Sequence, residues 1–132
     1  MAVEQIRTFL YVGSAAIKKG TMLKLGATEG QCDVATAVTD VPCGIAMQDA
    51  AAGNTTAQSI GIGCIEGEVY KVIGSTTIAI GAALGPTTGG KAVTITLSTT
   101  YAQEWIWGIA LTAAGAGATD IVSMRYGPQI AS

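Results

Sequence analysis

The sequence predicts a small all-β domain, and three observations lead to this fold class. Eighteen glycines are spread along the 132 residues, and each interrupts a candidate helix because Gly costs about 1 kcal/mol relative to Ala inside one. Short runs rich in Val, Ile and Thr lie between the glycines. Turn signals recur roughly every eight to twelve residues, a spacing that is typical of small β barrels and sandwiches.

Ten runs are predicted to be strands, because each combines β-branched or aromatic residues with turn signals at its ends. The first is an N-terminal strand or extended arm, and the second follows a turn at 18–20. Glu66-Gly67 is expected to be a hairpin turn. In the eighth run, period two puts the larger side chains on one face. The runs are 5–12, 21–25, 31–36, 44–48, 56–65, 68–73, 76–80, 92–97, 105–111 and 119–125.

At most one short helix is expected, at 99–104. Thr100 can cap it, and Gln103 stands three residues later as in a capping box. We expect residues 1–13 to be an N-terminal arm or edge strand and residues 14–132 to form a single β domain.

An internal repeat is the most informative feature of the chain. The segment that begins Gly44-Ile-Ala recurs as Gly108-Ile-Ala, and the segments 44–63 and 108–127 share nine of twenty residues at an offset of 64. Upstream, 17–20 pairs with 78–81 at an offset of 61. Two halves, at about 14–65 and 75–128, are therefore expected to close one core.

Composition argues against several function classes. Charged residues make up only 12% of the chain, about half the usual share, which indicates a surface that largely faces another protein or a merely bland domain. The net charge of −2 without a basic tract does not favour nucleic-acid binding. Histidine is absent, which removes the commonest general base and metal ligand. We expect a non-enzyme with no cofactor, catalytic residue or metal site.

Cysteine usage and hydropathy bear on the compartment. Cys32, Cys43 and Cys64 have no metal-site spacing, so they are expected to be small, reduced core residues, which fits assembly in a reducing cytoplasm. The uncharged stretch 72–90 contains Pro86 and a Gly pair, which makes it a poor membrane span. No membrane partner is expected.

Two motifs have a functional and a structural interpretation. The segment 85–91 matches most of a phosphate-binding loop, but Ala92 follows where Ser or Thr should stand, and a strand pattern comes next. A glycine-rich hairpin loop is therefore favoured. Glu66 and Glu68 could form a carboxylate pair, but Gly67 between them favours a solvated turn.

Trp105 and Trp107 lie on one face of a predicted strand, with Tyr101 nearby. Indoles suit a sugar platform, but they also suit a core that has a single Phe to fill it. We therefore predict that Trp105, Trp107 and Tyr101 belong to the core or to a subunit interface.

The order of these pieces resembles the capsid decoration, or cement, proteins of tailed phages. That family uses twice an entering strand, a Gly, a second strand, Gly-Ile-Ala, an Ala/Gly turn and a further strand. The resemblance covers roughly residues 14 to 127. The segments that carry it are 16–20, 42–47, 49–53, 60–70, 78–84, 89–93, 108–111 and 113–115.

The resemblance implies a small β-barrel-like or tulip-like domain, homotrimeric on the outside of a capsid, with the major capsid protein as its partner and no cofactor. The virion would assemble in the host cytoplasm. The capsid-contacting segment is predicted in the N-terminal arm because the arm lies outside the repeat. Its residues are Ala2, Val3, Glu4, Gln5, Ile6 and Arg7.

Other hypotheses remain. The chain could be a different phage structural component, such as a tail-tube or head-fibre protein. From another class, it could be a carbohydrate-binding module that uses Trp105 and Trp107.

Overall fold

The computed structural model describes residues 6–53, 58–95, 104–115 and 120–130. Over these residues the chain is almost entirely β, and the predicted fold class is confirmed. The only helical piece described is a 3-10 turn at Thr88–Gly90. The strands are β1 Ile6–Tyr11, β2 Met22–Leu25, β3 Gln31–Val34, β4 Pro42–Ala46, β5 Gln58–Gly63, β6 Val69–Ile73, β7 Ala83–Thr87, β8 Lys91–Thr94, β9 Trp105–Ala110 and β10 Ile121–Ile130.

The first five strands form a closed barrel in the order β1-β3-β2-β4-β5. Strand β1 closes it, because β1 pairs with β3 in parallel and with β5 in antiparallel orientation. Alternate residues of each strand point inward, as Ile60 and Ile62 do on β5. This alternation packs a small apolar core inside the barrel.

The last five strands repeat this arrangement. They form a sheet in the order β6-β10-β9-β7-β8, and a single parallel bridge between Gly74 and Ala92 brings the end of β6 beside β8. Adding five to each strand number of the first barrel therefore reproduces the neighbours of the second sheet. The two halves have the same topology.

The register of strand pairing confirms the internal repeat and corrects the residue-by-residue alignment of its two copies. Gly44 pairs with Leu23 as Gly108 pairs with Leu84, so the offset of 64 holds for β4 and β9. Along the exit strands it falls to 62, since Ile45 pairs with Gly63 whereas Ile109 pairs with Arg125. The connection after β4 is longer than that after β9 by two residues, and Gly63 is thus equivalent to Arg125 instead of Gly127.

Two apolar clusters make up the core. One fills the first barrel around Tyr11, Leu23 and Ile62. The other fills the second sheet around Trp107, Val72 and Met124, and it includes Met22, Ala35 and Ile45 from the outside of the first barrel. This second core therefore draws on residues of both halves.

Two sequence predictions, one of a strand and one of a hairpin turn, differ from the structure. Residues 76–80 are not a strand, because Ile78 forms only one bridge, to Ala114. The strand of that region is β7, at Ala83–Thr87. It accommodates Pro86 because β9 pairs only with Ala83 and Leu84, so a missing N–H at Pro86 breaks no bond to β9.

The second difference concerns a turn. Glu66-Gly67 is a turn, with Gly67 at a φ of +90°, but β5 and β6 on its two sides belong to different halves, so it links the halves instead of forming a hairpin. The helix expected at 99–104 lies outside the described residues except for Glu104, which has no helical assignment. No helix in the described part of the chain is long and apolar enough to cross a membrane.

Candidate interaction surfaces

Strand β1 contains residues 6–11 of the segment 1–13, which the sequence predicted to be an N-terminal arm or edge strand. Ala2, Val3, Glu4 and Gln5 lie outside the described residues. Ile6 and Arg7 begin β1, where they pair with Gly63 and Ile62. Since β1 pairs on both sides from Leu10 to Tyr11, the strand closes the barrel and offers no free edge there for strand addition.

The tryptophan pair lies at the centre of the second half. Trp107 is fully buried, and Trp105 packs against the same cluster while partly exposed. Among the residues that the structure describes, neither indole Nε1 has a hydrogen-bond partner. A sugar platform needs exposed ring faces, so the burial of Trp107 argues against the carbohydrate-binding hypothesis. Tyr101, the third predicted residue, lies outside the described residues.

A pair of tyrosines lies where the halves meet. The rings of Tyr70 and Tyr126 pack edge to face, with centroids 5.9 Å apart, and the Tyr70 hydroxyl accepts a hydrogen bond from the Ile65 N–H. A Cβ on Gly63 would collide with the Tyr70 ring, so this glycine lets β6 approach β5 closely. Burial raises the pKa of Tyr126 above its ordinary value, with smaller contributions from Cys64 and Cys43.

The cysteines are core residues. Cys32 and Cys43 are buried, Cys64 is half-buried, and all three are free thiols. The pKa of Cys43 is raised above its ordinary value by its hydrogen bond with Cys32 and by burial. A thiol held neutral in this way is a poor nucleophile.

The motifs that could have had a catalytic or metal-binding role lie at turns in the structure. The β7–β8 connection is a tight turn with Gly89 and Gly90 at positive φ, and β8 follows it directly. A phosphate loop requires a helix N-terminus at that point, so this motif is a hairpin loop. Glu66 and Glu68 are both exposed. Among the described residues, no group of three His, Cys, Asp or Glu side chains could hold a metal ion.

A cleft of about 480 Å³ lies beside the junction of the halves. Its polar lining includes Lys18, Lys24, Lys91 and Asp33. These side chains could attract anions, but they do not combine a nucleophile with a base.

The most distinctive surface is the outward side of the second sheet, which we call the outer face. Directly paired residues lie on the same side of a sheet, so the register defines its rows. Val69, Arg125 and Ile109 form one row, which Ala83 extends on β7. Lys71 and Ser123 form the next row, with Leu111 bonded to Ser123 through its N–H. Ile73 and Ile121 form the third row.

This outer face is apolar and solvent-exposed. Val69 and Ile121 are 49% and 53% exposed, and Ile109 is 37% exposed. The charged side chains in its rows are Lys71 and Arg125, both cationic and both exposed. An exposed apolar cluster of this kind commonly marks a protein–protein contact.

The equivalent face of the first barrel is covered. Met22 and Ile45, the equivalents of Ala83 and Ile109, are 0% exposed because they pack into the core of the second half. Gly63, the equivalent of Arg125, lies against Tyr70. The same face is thus buried in one half and open in the other.

A second exposed apolar surface lies on the first barrel, and we call it the barrel surface. Leu10, Leu25 and Val41 are all more than a third exposed, and the Leu25 N–H donates to the Val41 carbonyl. Leu25 and Val41 border an open cleft of about 600 Å³ that Asp33 and Asp40 also line, and Leu10 pairs with Gln31, another residue of this lining. Asp40 pairs with Lys24 at 3.7 Å, and exposed Glu29 lies in the nearby β2–β3 turn.

The sequence analysis did not identify either surface. The sequences of β6 and β10 did indicate an exposed apolar face, because apolar residues occur at both alternating positions. In β6, Val69 and Ile73 alternate with buried Tyr70 and Val72. A strand that is apolar on both faces must be covered on both or be exposed on one.

Comparison with known proteins adds one likeness. No family model matches the chain, and no curated protein matches its sequence. Its structure is similar to the crystal structure of the N base of head fiber gp8.5 from bacteriophage phi29, with a TM-score of 0.68 and 16% sequence identity over 92% of this chain and 94% of that one. At this identity the likeness shows a shared fold, and the fold extends along nearly the whole of both chains.

Proposed function

We propose that this chain is a structural protein of a phage virion that binds the outer surface of the capsid. The observation that carries the proposal is the shared fold with a phage head-fibre base over almost the full length of both chains. The low proportion of charged residues and the two exposed apolar surfaces support a role in assembly instead of catalysis.

Two versions of this function differ in what the bound protein does. As a decoration protein it would hold neighbouring coat subunits together against internal pressure, and the ordered repeat segments that resemble the decoration family favour this version. As a head-fibre base it would anchor a projecting fibre, and the fold likeness favours that version. In both, the partner is the major capsid protein, and a homotrimer would match the threefold positions of a capsid lattice.

Binding to capsids tests the shared part of the proposal. Purified chain is mixed with tail-less capsids that have been stripped of surface proteins, and the pellet after sedimentation is quantified against free chain. We expect saturable binding with a defined number of copies for each capsid. Binding to isolated tails but not to capsids would overturn the proposal.

Heat resistance separates the two versions. Capsids with and without saturating chain are warmed while release of the genome is followed with a DNA-binding dye. A decoration protein raises the release temperature, because binding to the intact shell stabilises it by mass action. An unchanged release temperature with full occupancy would favour the head-fibre base.

The capsid contact is proposed to include the N-terminal residues 2–5, which precede the barrel strand β1. Since β1 closes the barrel, deletion should stop before Ile6 to leave its pairs with β5 intact. We expect the shortened chain to keep its melting temperature and to bind capsids less tightly. Equal binding by the two chains would move the contact elsewhere.

A further inference from the structure

Because the two halves share one topology, the solvent exposure of equivalent residues can be compared, and it differs on the outer side of the sheet. In the first half, Met22 and Ile45 on the outside of the sheet are enclosed by the second half. In the second half, the corresponding Ala83 is partly exposed and Ile109 is 37% exposed, so the described residues leave both of them partly open. The outer side of the sheet is therefore covered in the first half and exposed in the second half.

We propose that a second copy of the chain covers the outer face, and that it does so with its barrel surface, in a head-to-tail contact. Internal packing supplies the first argument, because within the chain the equivalent face is covered by core residues of the second half. The barrel surface is a different surface, so its choice as the occupant rests on its exposed apolar residues and its charge. The proposal concerns self-association alone and does not depend on binding to a capsid.

Charge supplies the second argument and sets the orientation. Lys71 and Arg125 lie among the apolar side chains of the outer face. Pairing this face with itself across a twofold axis would bring four cations into one contact, which like-charge repulsion disfavours. Asp33 and Asp40 line the cleft of the barrel surface with Lys24, and exposed Glu29 lies in the nearby β2–β3 turn. Asp33 also lines the cleft of about 480 Å³ with Lys18 and Lys91. The barrel surface therefore complements the outer face in charge as well as in apolar character.

The area of the outer face determines how much of such a contact it can supply. Strands lie about 4.8 Å apart and alternate residues about 7 Å apart, so three strands and three rows cover about 300 Å². A stable interface buries about 800 Å² on each partner. The outer face would then be the apolar centre of the contact, surrounded by polar residues. Head-to-tail contacts close into rings when the rotation allows it.

Two positions on β10 provide a matched test. Ile121 lies on the outer face and is 53% exposed, whereas Ile130 lies at the far end of the same strand, opposite Trp105, and is 54% exposed. We expect wild type and Ile130→Asp to share an oligomeric mass by light scattering after size exclusion, and Ile121→Asp to be a monomer. Circular dichroism melting of each variant checks that it is folded.

Mixing distinguishes a head-to-tail contact from a symmetric one. Leu25→Asp disables the barrel surface and should also give a monomer. An equimolar mixture of Ile121→Asp and Leu25→Asp retains one intact outer face and one intact barrel surface, so it should form a dimer that grows no further. A monomeric wild type, equal masses for Ile121→Asp and Ile130→Asp, or an oligomeric Leu25→Asp would each overturn the proposal.

Discussion

Trp107 shows at the scale of one residue how this chain builds a core with few aromatics. It is the bulkiest fully buried side chain among the described residues, and it is equivalent to Cys43 in the first barrel. Because the larger ring replaces a small thiol, the second core can extend to Met22 and Ile45 on the first barrel. Its indole N–H has no hydrogen-bond partner among the described residues, a cost that the burial of the ring outweighs.

Removing this ring should be severe. Trp107→Ala leaves a large cavity, and we expect it to lower the free energy of unfolding by about 3–5 kcal/mol, measured by urea denaturation. Ile80→Ala is the control, because Ile80 is 71% exposed, and its effect should stay within about 0.5 kcal/mol. A loss for Trp107→Ala no larger than that for Ile80→Ala would contradict the core described above.

The raised pKa of Tyr126 predicts how the free energy of unfolding depends on pH. Burial raises its pKa in the folded state, so the unfolded chain loses the phenolic proton first as pH rises. The contribution of Tyr126 to stability is therefore full below pH ~10, the pKa of the unfolded residue, and falls above it by about 1.4 kcal/mol for each pH unit until the folded pKa is reached. Tyr11, whose pKa burial also raises, adds to this fall.

Substitution isolates the contribution of Tyr126. Tyr126→Phe removes one titrating group, so the loss of stability between pH 10 and 11.5 should be shallower than in wild type, as followed by chemical denaturation at each pH. An identical slope for the two proteins would show that another group controls unfolding in base.

Among the elements, the β5–β6 link decides how the halves meet. Gly63 at the end of β5 lies under the ring of Tyr70 on β6, and a side chain there would displace that ring. Gly63→Ala should destabilise the protein by about 1–3 kcal/mol. Gly127→Ala is the control, since the nearest atom to its added Cβ is 3.9 Å away. Equal melting temperatures for the two variants would contradict the close approach.

The sequence predicted most strands and the repeat, for identifiable reasons. Gly-Ile-Ala marks the same register point in both halves, and turn glycines marked the strand ends. The prediction failed where local pattern and topology disagree. Residues 76–80 have strand-like composition but form a single bridge. Strand β7 was not predicted because it contains Pro86, and the sequence does not show that β9 pairs only with Ala83 and Leu84 and leaves Pro86 without a partner on that side.

The candidate surfaces were less predictable than the strands. A period-two pattern shows that both faces of β6 and β10 carry apolar residues, but it does not show that one half covers the other and leaves the equivalent face open. Likewise, residues 6–11 read as an arm because they precede the repeat recognised in sequence, whereas pairing with both β3 and β5 makes them part of it.

At the scale of the whole molecule, one topology used twice places an acidic apolar surface on one half and a basic apolar face on the other. A protein with few charges and such surfaces is suited to assembly on a larger lattice, where many weak contacts act together. The fold shared with a head-fibre base fits that role, and the proposed function rests on it.

The most direct test of this account is a difference map between electron cryomicroscopy reconstructions of virions with and without the gene for this chain. The account predicts added density on the outer surface of the capsid that fits the two β halves. Added density confined to the tail or to the inside of the shell, or no difference at all, would contradict it.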